Sequence, residues 1–309
     1  MTRTAAVVGA GTIGLSWAAL FASHGIDVRV CDPRDDVEQL FAQTAGELAG
    51  VLPGDWAARI VVERDLAAAV AGVDVVQENG PEQLAFKQDL FARIEQAAPA
   101  EALLLSSTSG LMPSDMGASM QQPGRVVVGH PFNPPHVVPL VEVVPGAHTP
   151  DPTAQAAADF YRSLGKVPVV LRKEIGGFVA NRLQSAVFRE SVHLVLSGVV
   201  TPEELDQVVT ESVGVRWATA GPFESYHLGG GPGGIRNLLE HLGPGMVKRW
   251  HDLGRPELTD DVVELISTST EQRFAGQDYA QRTADRDRVQ LAVLRAREQA
   301  RSGDADDPV

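Results

Sequence analysis

The chain has 309 residues, of which 44% are hydrophobic and 21% are charged, and its formal net charge is −14. This length exceeds what one hydrophobic core usually supports, so two domains are expected. An acidic surface repels phosphate groups, which argues against nucleic acid or an anionic membrane as a partner. The single cysteine, Cys31, allows no intrachain disulfide and favours a cytoplasmic location. No apolar run reaches the roughly 18 residues that span a bilayer.

Short runs rich in β-branched residues alternate with helical patterns through the first half of the chain. Helices are predicted over residues 14–23, 37–48 and 84–96. This alternation is typical of a mostly parallel sheet with right-handed crossover connections. The predicted strands are 5–8, 28–31, 73–77, 103–105, 126–128, 140–144 and 167–171.

The pattern changes after about residue 175. A long helix is predicted over residues 178–196, and Thr201 followed by Pro202 is typical of an N-cap and a first helical position. The rest of the chain has helical patterns separated by glycine-rich breaks. We therefore predict an α/β fold, with a Rossmann-type doubly wound domain at residues 1–175 and an all-helical domain at residues 176–309.

A glycine-rich turn follows the first predicted strand and opens the first predicted helix. Its glycines permit a tight turn, close approach of the backbone to a pyrophosphate, and close packing of helix on strand. The next strand ends at Asp32, whose carboxylate can accept hydrogen bonds from the adenosine ribose and repel a 2′-phosphate. This context predicts NAD rather than a plain structural turn, although Arg34 nearby leaves NADP open. The predicted cofactor-binding residues here are Gly9, Gly11, Thr12, Ile13, Gly14 and Asp32.

A histidine and a glutamate form a second candidate centre. His130 follows an apolar strand and is held in a proline-rich loop, and strand ends in doubly wound sheets face the ligand crevice. Glu142 lies in an apolar run, so its carboxylate needs a partner if it is buried. A hairpin-like return of the chain would supply His130 as that partner, and the pairing would fix the imidazole tautomer. The alternative is that Glu142 pairs with an arginine.

Two further polar residues have both a structural and a functional interpretation. Ser109 lies in a hydroxyl-rich segment that closes the strand 103–105, where it can bind a substrate oxygen or cap a helix. Asn181 lies near the start of the long helix, where an asparagine does little for helix stability. It is therefore expected either to pack at a cleft or to contact substrate.

Several motifs in order resemble the 3-hydroxyacyl-CoA dehydrogenase superfamily, and within it the λ-crystallin and L-gulonate 3-dehydrogenase branch. The resemblance covers nearly the whole chain. The segments that carry it are VVGAGTIG, VQENGPE, SSTSG, GHPFNPPHVVPLVEVVPG, KEIGGFVANRLQ and GVRWATAGPFESYHL.

This resemblance implies a role for each matching residue. His130 matches the family's catalytic histidine, and Glu142 matches the glutamate that orients it. Ser109, Asn133 and Asn181 match residues around the substrate. Glu78 matches an acid near the nicotinamide, and Lys87 matches a lysine on the following helix. The resemblance also implies a homodimer that pairs through the helical domain.

The sequence departs from acyl-CoA-binding members of that family in two places. Such members carry a lysine-rich insertion, whereas residues 33–72 contain no lysine and many acids. A polyanionic CoA finds little attraction there. In addition, Arg216 and Trp217 stand where those members have small residues. Arg216 can clamp a free carboxylate, or it can form a salt bridge to another domain or subunit.

These observations predict an NAD-dependent dehydrogenase that oxidises the 3-hydroxyl of a small hydroxy acid, with no metal. L-Gulonate and a 3-hydroxybutyrate-like acid are the expected substrates. A 3-hydroxyacyl-CoA and a carnitine-type substrate are the alternatives, and Trp217, Phe223 and Tyr226 can supply an aromatic cage for a quaternary amine. An interpretation from a different class is a non-catalytic NAD-binding structural protein of the crystallin kind.

Overall fold

The computed structural model describes residues 3–302. The described residues form two compact units that divide between Arg182 and Leu183. The first unit is built around one sheet of eight strands. The strands are β1 Thr4–Val8, β2 Asp27–Cys31, β3 Ile60–Val62, β4 Val75–Glu78, β5 Leu103–Ser106, β6 Val126–Pro131, β7 Leu140–Pro145 and β8 Val167–Val170.

The strand order is β3-β2-β1-β4-β5-β6-β7-β8, and every neighbouring pair is parallel except β6 and β7. This order confirms the predicted Rossmann-type α/β fold. The parallel strands β1, β4, β5 and β6 place their carboxyl ends at one edge of the sheet, which is where ligands bind in such folds. Strand β3 was not predicted, since it is three residues long and only Ile60 of the three is buried.

Helices cover both faces of this sheet. Because successive side chains of a strand point to opposite faces, each strand contributes residues to two hydrophobic cores. Ala5 and Val7 of β1 pack in a cluster with Trp17, whereas Ala6 and Val8 pack in a second cluster with Phe91 on the other face. The helices of the first unit are α1 Thr12–Ser23, α2 Val37–Leu48, α3 Leu66–Val70, α4 Leu84–Ala97, α5 Pro113–Met116 and α6 Asp151–Ser163.

The second unit is helical, as predicted. Thr201 and Glu204 form a capping box at the start of α8, where each side chain accepts a hydrogen bond from the other's backbone N–H. Among the described residues, no helix has the length and apolar character of a membrane span. The helices are α7 Ala180–Leu196, α8 Pro202–Val208, α9 Gly214–Thr219, α10 Pro222–Gly229, α11 Gly234–Asp252, α12 Asp260–Phe274 and α13 Tyr279–Ser302, with a π-turn at Val209–Val213.

Helix α7 begins at Ala180, two residues later than the periodicity predicts. The reason is local, because Phe178 adopts a left-handed backbone conformation with a φ of 49°. An L-residue in this region cannot continue a right-handed helix. Phe178 therefore lies at the end of the segment between β8 and α7, where the chain changes direction before the helix begins.

Candidate active site

The glycine turn after β1 has the geometry that a dinucleotide requires. Gly9 has a φ of +100°, and a Cβ on Gly14 would lie 1.9 Å from the Gly9 carbonyl oxygen. By contrast, a Cβ on Gly11 would meet no atom within 4 Å, so the space above the turn is open. No side chain caps the N-terminus of α1, which leaves the N–H groups around Thr12 and Ile13 available to an anion. These residues fit the pyrophosphate of NAD.

Asp32 lies at the end of β2 and already has partners. Its carboxylate accepts hydrogen bonds from the Ala10 backbone N–H at 2.7 Å and from the Arg34 side chain at 3.0 Å. Burial raises the pKa of this carboxyl, but the hydrogen bonds from Arg34 and Ala10 outweigh burial and hold the pKa below its usual value. Asp32 is therefore ionised at neutral pH, as an acceptor for ribose hydroxyls must be.

His130 and Glu142 meet as predicted. The antiparallel pairing of β6 with β7 places the two residues directly opposite each other. Nδ1 of His130 lies 2.9 Å from Oε2 of Glu142, and both side chains are buried. An ionised glutamate accepts the Nδ1 proton, so Nε2 is the ring nitrogen left to accept a proton from a substrate.

The second oxygen of Glu142 holds the start of α7. Oε1 accepts the backbone N–H groups of Val179 at 2.9 Å and Ala180 at 3.0 Å. Burial raises the pKa of Glu142, but the hydrogen bonds from His130, Ala180 and Val179 together lower it below the usual value. The carboxylate therefore stays ionised next to the imidazole.

Aromatic rings enclose the imidazole of His130. The ring centroid of Phe132 lies 4.8 Å from that of His130, and the centroid of Phe178 lies 5.3 Å away. Phe178 is fully buried. Together with Glu142, these rings fix the plane of the histidine.

Glu78 and Lys87, which the family resemblance assigns to the neighbourhood of the cofactor, form a buried ion pair. Lys87 Nζ lies 2.7 Å from Glu78 Oε1, and the exposed fractions of the two residues are 1% and 0%. The carboxylate also accepts hydrogen bonds from the Ser106 hydroxyl and the Gly80 N–H, both at 2.6 Å. The pair therefore holds the ends of β4 and β5 together, and both of its side chains are buried in this structure.

Glu82 is an acid at this edge that the sequence analysis missed. Its Oε1 accepts hydrogen bonds from the backbone N–H groups of Ser109 at 3.0 Å and Gly110 at 3.2 Å, and from the Thr108 hydroxyl. Asn181 Nδ2 lies 3.5 Å from the Ser109 carbonyl oxygen, so the structure brings these two predicted residues together. Glu82 follows the end of β4 rather than lying within it. That position is the signal that distinguishes it from Glu78.

The remaining predicted substrate residues lie in different units. Asn133 is exposed in the loop that follows β6, three residues after His130. Arg216 is exposed on α9 of the second unit, and within residues 3–302 its side chain has no acidic partner.

The loop between His130 and Glu142 is held by two residues outside it. Ser16 on α1 accepts a hydrogen bond from the His136 backbone N–H at 3.2 Å. Lys166, which follows α6, is buried and donates to the carbonyl oxygens of Pro135 and Val138. Sequence reasoning gave no signal for Lys166, since its partners are backbone groups distant in the chain.

An uncapped helix N-terminus behind a glycine turn, together with a His–Glu pair at the end of β6 in the same sheet, is the arrangement of an NAD-dependent dehydrogenase. Two family models match the chain. The NAD-binding domain of 3-hydroxyacyl-CoA dehydrogenase matches residues 4–175, and the C-terminal domain of the same family matches residues 177–265. The chain belongs to the 3-hydroxyacyl-CoA dehydrogenase family, and it is an NAD-dependent hydroxy acid dehydrogenase.

Similar proteins narrow the branch of that family. The chain is 42% identical to an L-carnitine dehydrogenase of Nocardiopsis dassonvillei over 98% of its length and 94% of the relative. It is also 42% identical to an L-carnitine dehydrogenase of Streptomyces griseus, over 95% of its length and 90% of the relative. These names support the carnitine-type alternative better than the predicted gulonate branch.

A solved structure resembles the chain over almost its full length. It is an NAD⁺-dependent dismutase, 5-formyl-3-hydroxy-2-methylpyridine 4-carboxylic acid 5-dehydrogenase. Its sequence is 29% identical, with a TM-score of 0.76 over 96% of this chain and 99% of that one. The likeness supports NAD as the cofactor.

The buried Lys166 leads to a prediction about stability and pH. Burial lowers the pKa of its ammonium from 10.5 to about 8. Because the folded pKa is below the unfolded pKa, the charged form destabilises the fold fully below about pH 8, and this effect is relieved as the pH rises to 10.5. The free energy of unfolding of the wild type, relative to Lys166→Met, should therefore rise over this range, by on the order of 3 kcal/mol at most.

Chemical denaturation at intervals between pH 7 and pH 11 measures this difference. Lys173→Met is the matched control, since Lys173 is exposed. A difference between wild type and Lys166→Met that does not change with pH would contradict the burial argument.

Proposed function

We propose that the chain oxidises the 3-hydroxyl of L-carnitine, or of a similar 3-hydroxy acid with a quaternary amine, to the ketone. The observation that carries the chemistry is the contact between His130 Nδ1 and Glu142 Oε2 at 2.9 Å. The choice of substrate is supported by relatives 42% identical over nearly the full chain and named L-carnitine dehydrogenase. L-Gulonate, favoured by the sequence motifs, has no such support.

In this proposal His130 is the general base. Its Nε2 accepts the proton of the substrate hydroxyl as the C–O bond becomes a carbonyl, and Glu142 stabilises the imidazolium that forms. NAD, when bound at the glycine turn, supplies the acceptor for the hydride from the carbinol carbon. In the reverse direction, the imidazolium returns the proton to the carbonyl oxygen.

Polar groups beside the pair would orient the substrate oxygen. Ser109 follows β5, and β5 pairs with β6, the strand that carries His130. Ser109 is exposed, its hydroxyl donates to Glu82 Oε1 at 3.4 Å, and Glu82 and Asn181 contact its backbone. Asn133 is exposed in the loop after His130. We assign Ser109, Asn133 and Asn181 to the substrate oxygens, since donors held in place before binding stabilise a developing charge best.

The second unit offers groups that suit both ends of a carnitine molecule. Arg216 has no acidic partner in the described residues, and a guanidinium binds a carboxylate through two parallel hydrogen bonds. Trp217, Phe223 and Tyr226 are exposed on α9 and α10. Aromatic faces of this kind attract a quaternary ammonium. We propose Arg216 as the carboxylate ligand and the three aromatic residues as candidates for the ammonium site.

A 3-hydroxyacyl-CoA substrate has less support from the residues. The segment from 33 to 72 has no lysine to attract the phosphates of CoA. Two of its three arginines are engaged elsewhere, since Arg59 pairs with Asp27 and Arg64 pairs with Glu38. This leaves a free hydroxy acid as the substrate class that we propose.

A screen for NAD reduction tests the substrate. We expect L-carnitine to give the highest kcat/KM, and the same acid with a protonated dimethylamino group to react more weakly because it lacks the third methyl group that would contact the aromatic faces. D-Carnitine, L-gulonate, 3-hydroxybutyrate and 3-hydroxybutyryl-CoA serve as comparisons in the same assay. Higher activity with L-gulonate, 3-hydroxybutyrate or 3-hydroxybutyryl-CoA than with L-carnitine would overturn the carnitine assignment while leaving the dehydrogenase class intact.

Replacing the proposed base should abolish most of the activity. His130→Ala should lower kcat by roughly 10²–10⁴, the usual contribution of general acid–base catalysis, and remove the acidic limb of the pH profile. His148→Ala is the matched control, because His148 is exposed. Direct titration with NADH checks that the variant keeps its fold. A near-normal kcat with an unchanged pH profile would contradict the assigned role.

We also propose that the protein is a cytoplasmic homodimer that pairs through its helical unit. Large apolar side chains are exposed along α11, including Leu239, Leu242, Val247 and Trp250. Exposed apolar surface of this kind marks a protein interface in a water-soluble chain. The single cysteine is free and buried, which suits a reducing compartment.

Light scattering after gel filtration tests the dimer. We expect twice the chain mass for the wild type and the monomer mass for Trp250→Asp, because a buried unpaired charge opposes association. Val61→Asp, at an exposed position of β3 in the first unit, is the matched control and should remain dimeric. A monomeric wild type at micromolar concentration would refute the assembly.

A further inference from the structure

The carboxylate at the end of β2 is covered by an arginine from its own loop. Arg34 Nε donates to Asp32 Oδ1 at 3.0 Å, and Arg34 Nη2 lies 3.2 Å from Asp32 Oδ2. Nη2 also donates to the Ala10 carbonyl oxygen at 2.9 Å, within the glycine turn itself. As a result, Asp32 is only 7% exposed, although it is the group placed to meet the adenosine ribose. An approaching ribose therefore encounters Arg34 as well as Asp32.

This pairing changes the charge that a 2′-phosphate would encounter. A bare carboxylate at this position repels a phosphate on the ribose, which is how NAD-specific enzymes exclude NADP. Here the guanidinium neutralises that charge, and its side chain remains 46% exposed. A guanidinium with free N–H groups also binds phosphate through charge-assisted hydrogen bonds.

The neighbouring charges make Arg34 the available cation. Arg64 lies next to it, donating to the Arg34 carbonyl oxygen at 3.0 Å, but its own guanidinium is paired with Glu38 at 2.9 Å. Asp35 and Asp36 are exposed beside Arg34 and oppose a phosphate. The balance therefore favours NAD while leaving a weaker site for NADP.

We propose that Arg34 sets the cofactor specificity of this dehydrogenase, and that through Arg34 the chain accepts NADP as a second, weaker cofactor. Arg34 turns from Asp32 toward the 2′-phosphate when NADP binds. With NAD, Asp32 takes the ribose hydroxyls and Arg34 keeps a supporting position. Removing the guanidinium restores a bare carboxylate and makes the site strictly specific for NAD.

Titration of the purified full chain with NADH and with NADPH, followed by nicotinamide fluorescence, tests this assignment without any substrate. We expect Arg34→Gln to weaken NADPH binding by about tenfold or more, the worth of a hydrogen bond to a charged group. NADH binding should change by less than about threefold or improve, since Asp32 is released from its partner. Arg34→Lys, which keeps the charge, should retain most of the NADPH binding.

Arg59→Gln is the matched control, because Arg59 is a similarly exposed arginine paired with Asp27 at the opposite end of β2. It should leave the ratio of the two dissociation constants unchanged. An equal ratio in Arg34→Gln and wild type would overturn the proposal, as would a wild type that binds NADH but no NADPH. Because the readout is binding, a failed substrate screen leaves this result interpretable.

Discussion

One carboxylate connects the histidine of this site to the helix that follows the sheet. Glu142 gives one oxygen to His130 and the other to the N–H groups of Val179 and Ala180, so a single buried charge has three donors. An unpaired buried carboxylate is costly, and each of these donors stabilises its ionised form. The helix N-terminus adds a favourable dipole. The orientation of the imidazole and the start of α7 are therefore fixed by the same group.

This arrangement requires an unfavourable backbone conformation at Phe178. A non-glycine residue with positive φ is disfavoured by roughly 1–2 kcal/mol. Phe178 tolerates it because its ring is fully buried and lies against His130. The left-handed turn brings the two following N–H groups to Glu142, which a continuous helix from residue 178 would not do. The strained backbone at Phe178 and the fixed orientation of His130 therefore both depend on the hydrogen bonds of Glu142.

The fold and the contact between His130 and Glu142 were predictable from the sequence, because both depend on local patterns. Alternating apolar runs located seven of the eight strands, and the apolar flanks of Glu142 indicated its burial and its need for a partner. The features that the sequence did not predict depend on how deeply a side chain is buried and on hydrogen bonds to backbone groups distant in the chain. Glu78 and Glu82 lie in one motif, and only the end of β4 separates the buried acid from the one at the surface. The carbonyl partners of Lys166 leave no mark in the sequence at all.

Two buried lysines hold the backbone around the site in place. Lys87 is neutralised by Glu78 beneath β4 and β5, whereas Lys166 satisfies backbone carbonyls of the loop after His130. The first arrangement supports the strand ends, and the second fixes the loop without bringing another negative charge near the imidazole. Removing one partner of a buried ion pair typically costs about 3–5 kcal/mol, so the Lys87–Glu78 pair strongly constrains the strand ends around it. The exposed residues Ser109 and Asn133 lie beside these buried contacts, and groups held in place before binding are the condition for the electrostatic catalysis that we propose.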